Sequence, residues 1–266
     1  MFVVFSILGT ISIDFHDTEA TISGDGSFTG FGKQSTYYLK TVTITGNIYE
    51  IGSNAFYEIF SLRTVIFNIT SPNFIIRDYA FYSCGFSQIN LPDNTISIGE
   101  YAFSHTHLDS IEFPASLTEI KKSCFENCME LKKVNLKNIE TIRNFAFYGC
   151  NSLSELILSD SIKTIGGSVF TKCDLITKLT IPPKVDELSS YTFNEMGGLQ
   201  KLNLNHVKRL SEYSIHDCPK LNYIHFGDSL EFIDEKALQF IYLKEIILPP
   251  TLHNLSAKSF ASCKPF

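Results

Sequence analysis

One pattern recurs ten times along this chain of 266 residues, at intervals of 22 to 24 residues. Its first half reads L-x-x-(V/I/L)-x-(L/I/F), as in LKTVTI from Leu39 and LKKVNL from Leu131. Its second half reads (I/L)-x-x-x-small-(F/I/L), as in IGSNAF from Ile51 and IRNFAF from Ile142. Strand-like leucines with a period in the twenties indicate a leucine-rich-repeat solenoid. Repeats 1 to 10 begin at Leu39, Leu62, Phe86, Leu108, Leu131, Leu153, Ile176, Leu199, Leu221 and Leu243.

The alternation within each copy predicts which side of each strand is buried. Positions 1, 4 and 6 of the first half are apolar, whereas positions 3 and 5 are mostly polar. This is the pattern of a strand with one buried face, so we expect a parallel β-sheet along one face of the solenoid. The second half is too short for a long helix. We therefore expect short strands, turns or single helical turns on the return side.

The start of the repeats sets the predicted domain boundaries. Residues 39–266 form the repeat array, and residues 13–38, with the glycine-punctuated stretch TISGDGSFTGFG, are expected to cap the open core. Residues 1–12 are apolar but lack the basic residues of a typical signal peptide. This segment is therefore interpreted as either a signal peptide or a strand of the cap.

Phenylalanine and cysteine recur in phase with the repeat. The predicted core spine consists of Phe56, Phe81, Phe103, Phe125, Phe147, Phe170, Phe193 and Phe260. Three residues further on in their repeats lie Cys84, Cys128, Cys150, Cys173, Cys218 and Cys263, and Cys124 occupies a small-residue position. A cysteine that recurs in phase with the core is expected to be a small buried hydrophobe with a free thiol.

Composition and spacing argue against several classes of function. The net charge is -6 and no run of Lys or Arg occurs, so no nucleic-acid partner is predicted. No apolar run reaches the roughly 18 residues of a membrane span. His105 and His107 form the only close histidine pair, in a turn between repeats and without a visible third ligand. Catalysis needs a convergent constellation, so we predict no enzyme, metal site or cofactor.

The exposed positions 3 and 5 of the strands are the candidate partner-binding surface. They form two neighbouring rows with mixed charge, and the middle repeats carry the most distinctive polar side chains. The predicted partner-binding residues are Lys133, Asn135, Glu155, Lys178, Lys201, Asn203, Tyr223 and His225. The alternative interpretation is an ordinary hydrated sheet face.

A further row lies three residues after the Ile or Leu of the second half. It is aromatic in half of the repeats, and we expect these side chains to pack against their neighbours in adjacent repeats. Its members are Tyr79, Tyr101, Phe145, Tyr191 and Tyr213.

The last repeat has no visible capping segment after Ser262. An uncovered sheet end predicts end-to-end self-association.

The combined pattern resembles the BspA-like leucine-rich repeat proteins of bacterial and protist cell surfaces. The matching features are L-x-x-I-x-L-P followed by I-G-x-x-A-F, as in INLPDNTISIGEYAF from Ile89. The resemblance implies a non-enzymatic cell-surface or secreted protein that binds a protein partner, such as a host extracellular matrix or cell-surface protein. The alternatives are an intracellular scaffold for protein–protein interaction and a structural or antigenic coat component.

Overall fold

Each repeat passes through two short β-strands and a run of tight turns before the next repeat begins. This fold is taken from a computed structural model, which describes residues 3–4, 11–32 and 36–263. Strands and turns, but no helix, occur among these residues, so the return side uses strands and turns rather than helical turns. The strands are β1 Val3–Val4, β2 Ser12–His16, β3 Glu19–Phe28, β4 Thr41–Ile51, β5 Thr64–Ile69, β6 Phe74–Ile76, β7 Thr95–Ile98, β8 Ser110–Ile111, β9 Glu119–Ile120, β10 Lys133–Leu136, β11 Thr141–Ile142, β12 Glu155–Leu158, β13 Thr164–Ile165, β14 Lys178–Thr180, β15 Glu187–Leu188, β16 Phe193–Asn194, β17 Lys201–Asn203, β18 Arg209–Leu210, β19 Ile215–Cys218, β20 Tyr223–His225, β21 Phe232–Ile233, β22 Leu238–Ile241 and β23 Asn254–Leu255.

Each coil has three sides, and the coils stack in parallel and in register, so the solenoid also has three sides. The strand side carries the first-half strands, and Val134 of β10 pairs with Leu156 of β12 there. The second side carries the short strands of the second half, where Leu188 of β15 pairs with Leu210 of β18. The turn side holds the residues that follow, including the core phenylalanines. Equivalent positions are therefore neighbours, and the expected leucine-rich-repeat solenoid is confirmed.

Before the first repeat, an antiparallel pair of β2 and β3 leads into the array, and β3 pairs in parallel with β4. Gly24 of β3 lies beside Gly46 of β4, and the register of the two strands shifts further on, between Gly26 and Ser27. Gly46 has φ of 90°, and a β-carbon there would lie 2.5 Å from the Gly24 carbonyl oxygen, so only glycine fits. β1 pairs antiparallel with β2. Residues 1–2 and 5–10 lie outside the described residues, so the choice between signal peptide and cap strand stays a prediction.

The turn side is joined by the most continuous row of backbone hydrogen bonds. In each of the first nine repeats two residues, four positions apart, have left-handed backbone angles; φ is 57° at Tyr79 and 54° at Ser83. The N–H groups of Tyr79, Phe81 and Ser83 donate to carbonyls of the next repeat, each at 2.9 Å. Such bonds recur at the boundary between each pair of consecutive repeats, from the first repeat to the tenth. The turn side therefore fixes the spacing of the coils.

The strand side is less continuous than the repeat pattern predicts. Its strands form separate groups, with β3 to β5 in one, β8, β10 and β12 in a second, and β14, β17 and β20 in a third. Within the described residues no strand pairing joins β12 to β14. Leu156 and Leu158 of β12 are only half-buried there. Because the turn side already holds the coils together, the strand side can open locally without separating them.

The predicted phenylalanine spine is confirmed from Phe56 to Phe193. Successive rings stack nearly parallel, with centroids 4.9 Å apart between Phe56 and Phe81 and 6.1 Å apart between Phe170 and Phe193. All seven of these rings are fully buried. Phe260 is only half-buried, which differs from the prediction, because described residues pack on one side of its repeat alone.

The in-phase cysteines are tied to the phenylalanine row by hydrogen bonds. The thiol of Cys128 donates to the carbonyl of Phe103 at 3.1 Å, and that of Cys150 donates to the carbonyl of Phe125 at 3.2 Å. Cys84, Cys173 and Cys218 make the same contact one repeat back. All seven cysteines are free thiols, and Cys263 alone is half-buried. Burial raises the pKa of Cys128 and of Cys218 to about 12.

Replacing Phe125 by alanine is expected to lower the free energy of unfolding by roughly 3–5 kcal/mol, because it leaves a cavity in a stack with neighbours on both sides. The matched control is Phe145→Ala, which removes the same side chain from a position that is 36% exposed. Urea unfolding followed by circular dichroism measures both. Equal losses in the two variants would contradict the assignment of Phe125 to the core.

Alkaline pH is expected to destabilise the protein through its buried thiols. The pKa of Cys218 rises from an ordinary 9.0 to about 12 on folding, so its contribution is complete below pH 9.0 and is lost as pH rises toward the folded pKa. Each such thiol adds a slope of about 1.4 kcal/mol per pH unit above its unfolded pKa. Urea unfolding between about pH 8 and pH 10 measures the slope. Cys218→Ala should reduce this slope by the contribution of one thiol. An unchanged slope would show that the buried thiols are not its origin.

Candidate functional site

Five of the predicted partner-binding residues lie together on one three-stranded group. Lys178, Lys201 and Tyr223 are in-register neighbours on β14, β17 and β20, and Asn203 is the in-register neighbour of His225. Their side chains stand on the outer face, and all but Asn203 are exposed. We call Lys178, Lys201, Asn203, Tyr223 and His225 the strand-side cluster.

The other three predicted residues lie on the neighbouring group of strands. Lys133 faces Glu155 across β10 and β12, with 3.8 Å between its Nζ and Oε2 of the glutamate. Both side chains are largely exposed, so this ion pair contributes little to stability. The Oδ1 of Asn135 accepts the backbone N–H of Lys137 and so holds the turn after β10. The structure therefore divides the eight predicted residues between two groups of strands.

The two lysines of the strand-side cluster have like charge and face each other. Neither Lys178 nor Lys201 forms an ion pair within the part of the chain that the structure describes, and both are exposed. Like charges directly opposite each other on neighbouring strands are destabilising. An anionic group from outside the chain would relieve this repulsion. Asn203 is less available, because its Oδ1 accepts the backbone N–H of Asn205 at 3.0 Å.

A groove adjoins the strand-side cluster beyond β20. The next repeat does not pair with β20 as a strand, which leaves an open volume of about 390 Å³ between them. Tyr223 and His225 line one wall, and Ile247, Leu248 and Pro249 line the other. Ile247 is 73% exposed. The cluster thus combines two lysines with an adjacent groove that is mainly apolar and also carries Asp228 and Glu245.

Aromatic side chains line the turn side in two places. The expected packing between repeats is confirmed for Tyr79 with Tyr101, whose stacked ring centroids are 4.7 Å apart, and for Tyr191 with Tyr213, at 5.0 Å. Phe145 instead packs edge-on against Tyr148 of its own repeat.

A second set of tyrosines on the turn side, which directly follow a core phenylalanine, was not identified from the sequence. Tyr57 and Tyr82 stack on each other, with ring centroids 5.0 Å apart, and Tyr82 also contacts His105 at 5.2 Å. Their signal is the tripeptide Ala-Phe-Tyr, which occurs at Tyr57, Tyr82 and Tyr148. We call Tyr57, Tyr79, Tyr82, Tyr101 and His105 the N-terminal tyrosine cluster.

Elsewhere on the turn side the chain places its own lysines on tyrosines. The ammonium of Lys172 lies 5.8 Å from the ring centroid of Tyr148, and that of Lys236 lies 5.2 Å from the ring centroid of Tyr213. Lys236 also donates to the Tyr213 hydroxyl at 2.8 Å. The pKa of Lys172 is raised by the charge of Tyr148 and then that of Glu195, and the pKa of Lys236 is raised by its hydrogen bond to Tyr213.

The two histidines of the close pair, His105 and His107, contact different residues. Nδ1 of His107 lies 2.8 Å from Oε1 of Glu130, whereas Nε2 of His105 lies 3.3 Å from Nδ2 of Asn127. Among the described ranges, no three His, Cys, Asp or Glu side chains are grouped so that they could hold a metal ion. The same ranges contain no helix with the length and apolar character needed to cross a bilayer. End-to-end self-association at the last repeat stays a prediction.

Comparisons with known proteins agree with this geometry. The chain is similar to a leucine-rich repeat protein from Bacteroides ovatus, at 19% identity and a TM-score of 0.63 over 97% of this chain and 92% of that one. It is also similar to a leucine-rich cell surface protein from Faecalibacterium prausnitzii, at 20% identity and a TM-score of 0.54 over 98% and 86%. These likenesses concern the fold. No curated protein sequence matches the chain. The model of the BspA type leucine rich repeat region matches residues 5–74, 31–138, 74–195 and 140–266, so the chain belongs to the BspA-type leucine-rich repeat family.

Proposed function

We propose that this protein is a non-enzymatic binding protein whose strand-side cluster engages an acidic surface on a protein partner. The observation that carries the proposal is the unpaired, in-register pair of Lys178 and Lys201. A carboxylate placed against both ammonium groups would replace a repulsion by an attraction. Electrostatic complementarity of this kind raises association rates and favours the correct partner over others.

The surroundings of the lysine pair suit a protein interface. Interfaces are enriched in aromatic side chains and usually combine an apolar centre with a polar rim. Tyr223 extends the lysine row on the next strand, and the groove beside it presents Ile247 and Pro249. The lysines would therefore orient an acidic partner while Tyr223 and the groove bury part of its apolar surface.

We place this binding at the cell surface or outside the cell, with a host extracellular matrix or cell-surface protein as the expected partner class. Membership of the BspA-type family supports this location. The related Faecalibacterium prausnitzii structure is described as a cell surface protein, which supports the same location. An intracellular scaffold and a coat component without a defined ligand are the competing functions. Protease shaving and surface labelling of intact cells would separate the scaffold from the other two.

The double substitution Lys178→Glu and Lys201→Glu is expected to abolish attachment while leaving the fold intact, because both side chains are exposed. Such surface changes usually alter stability by about 0.5 kcal/mol or less. Attachment is measured by surface plasmon resonance against a panel of purified extracellular matrix proteins, beside attachment to intact cells.

The matched control for this experiment is Lys132→Glu with Lys220→Glu. It changes the net charge equally at exposed lysines that lie outside the two strand rows. The control should attach like the wild type. Saturable attachment that survives in the Lys178→Glu, Lys201→Glu protein would remove the strand-side cluster from the binding site. Absence of saturable attachment in the wild type would favour the coat component.

A further inference from the structure

The N-terminal tyrosine cluster forms a second surface that the strand-side proposal does not use. It lies on the turn side of repeats 1 to 3, away from the strand rows. Tyr79 contacts Tyr57 at a centroid distance of 6.4 Å and Tyr82 at 5.8 Å. Tyr57 is 41% exposed, and His105 at the other end of the cluster is also exposed. The five rings are therefore joined by a chain of contacts and form an aromatic surface that reaches the solvent.

Carboxylates surround this surface. Burial raises the pKa of Tyr57 first, and the charge of Glu58 raises it further. The pKa of Tyr79 is raised by burial and then by the neighbouring Tyr101 and the charge of Glu100. Glu58 and Glu100 are both exposed, and neither forms an ion pair in the described part of the chain. The cluster is therefore aromatic and carries a negative charge at Glu58, whereas Glu100 shares a surface depression with Lys121 and Lys122 of the next repeat.

The rest of the turn side shows what such a surface accepts. Lys172 and Lys236 each place an ammonium over a tyrosine ring, and each has a glutamate within ion-pair distance. Tyrosine faces attract cations, and nearby carboxylates add to that attraction. The chain thus contains two examples in which a tyrosine of the turn side is covered by a lysine.

The N-terminal tyrosine cluster has the tyrosines and the carboxylates but no lysine of its own. The position that Lys172 occupies in the sixth repeat is filled by Glu58, Ser83 and His105 in the first three repeats. At the first of these positions the charge is reversed. The nearby Arg77 is already paired with Glu50, with 2.6 Å between its Nη2 and Oε2 of the glutamate. Among the described residues no lysine or arginine lies over the rings of this cluster, which leaves them open to a cation from another molecule.

We infer that the N-terminal tyrosine cluster binds a lysine- or arginine-bearing segment of another protein, whose cationic groups take the place that lysines of the chain take at Tyr148 and Tyr213. This surface is distinct from the strand-side cluster and has the opposite charge preference. A single molecule can therefore hold an acidic surface on its strand side and a basic segment on its turn side. The inference does not depend on the strand-side proposal.

The test uses a fluorescein-labelled peptide in which lysine alternates with glycine, and a glutamate–glycine peptide of the same length. Fluorescence anisotropy at physiological salt measures binding to the intact chain. The wild type should bind the lysine peptide saturably and the glutamate peptide not at all. Glu58→Lys reverses the charge beside Tyr57, and Tyr82→Leu removes a ring at the centre of the cluster. Each variant should bind the lysine peptide roughly tenfold more weakly or worse.

A charge-matched control separates this site from general attraction between a basic peptide and a chain of net charge -6. Glu112→Lys makes the same change of charge at an exposed position on the strand side, and it should leave binding unchanged. Tyr191→Leu is the control for Tyr82→Leu: it removes a tyrosine ring elsewhere on the turn side and should also leave binding unchanged. Circular dichroism confirms the fold of each variant.

Three results would overturn the inference. One is equal weakening by Glu58→Lys and Glu112→Lys, which would indicate general electrostatics. Another is unchanged binding in both Glu58→Lys and Tyr82→Leu, which would place the peptide elsewhere. The third is wild-type dimerisation in light scattering that Glu58→Lys abolishes, which would make a second copy of this chain the occupant. Lys178→Glu with Lys201→Glu should leave lysine-peptide binding intact, so the two surfaces are tested separately.

Discussion

The backbone ladder of the turn side is the constraint on which the rest of this solenoid depends. Pairs of left-handed residues, such as Tyr79 with Ser83 and Tyr101 with His105, aim alternate N–H groups at the next coil. The left-handed conformation costs roughly 1–2 kcal/mol at a residue with a β-carbon. The hydrogen bonds across each boundary and the stacked phenylalanine beneath them offset that cost. A single repeat could not hold this geometry alone, because each hydrogen bond has its donor in one repeat and its acceptor in the next.

Several sequence positions follow from that ladder. The residue before each core phenylalanine is buried in the tight turn, so it is small, as at Ala102 and Ala146. Where the position carries a hydroxyl, the turn must satisfy it, and Thr192 donates to the Ser189 carbonyl at 2.7 Å. Ser214 has the same position but no partner for its buried oxygen, which is a local cost. The cysteines end the turn by donating to the phenylalanine carbonyl one repeat back. Their recurrence therefore reflects geometry within the core as well as size.

Periodicity in the sequence was enough to predict what is buried and which residues are neighbours. A position such as Phe125 recurs in phase, so its burial and its stack on Phe103 follow from the period alone. The left-handed positions could not be predicted this way, because they carry Tyr, Ser, His and Lys rather than glycine. The interruption between β12 and β14 was also hidden, since both strands have the same apolar pattern. Periodicity reports what every copy shares, and these features depend on how each pair of adjacent coils meets.

The same limit applied to the candidate sites. Their lysines and tyrosines could be placed in rows from the sequence. That Lys178 and Lys201 form no ion pair with any described residue could be learned only from the contacts of their neighbours. Likewise, Tyr57 and Tyr82 were visible as residues after a core phenylalanine, but their mutual stacking was not. A single row in the sequence was in fact divided between two groups of strands, with Lys133 on one and Lys178 on the other.

The arrangement of charge separates the two proposed binding surfaces from the ion-paired parts of the exterior. Equivalent side chains on neighbouring parallel strands lie about 4.8 Å apart, so a charge is always close to whatever occupies its position in the next coil. At several places opposite charges lie one repeat apart, as with Arg143 and Glu119, Lys163 and Glu140, and Lys172 and Glu195. The pairing of Lys163 even lowers the pKa of Glu140.

Two places differ from these ion pairs: Lys178 lies beside Lys201, which has the same charge, and Glu58 lies beside a group of tyrosines. Neither arrangement helps the coils to stack, since exposed charges contribute little to stability even when paired. The ladder and the phenylalanine stack hold the solenoid together without them. A solenoid can therefore keep an unpaired charge on its exterior at small cost, and that charge is then available to a partner. The two proposed surfaces have opposite signs and lie on different sides of the coil, so the two proposals together predict that partners of opposite charge can bind at the same time.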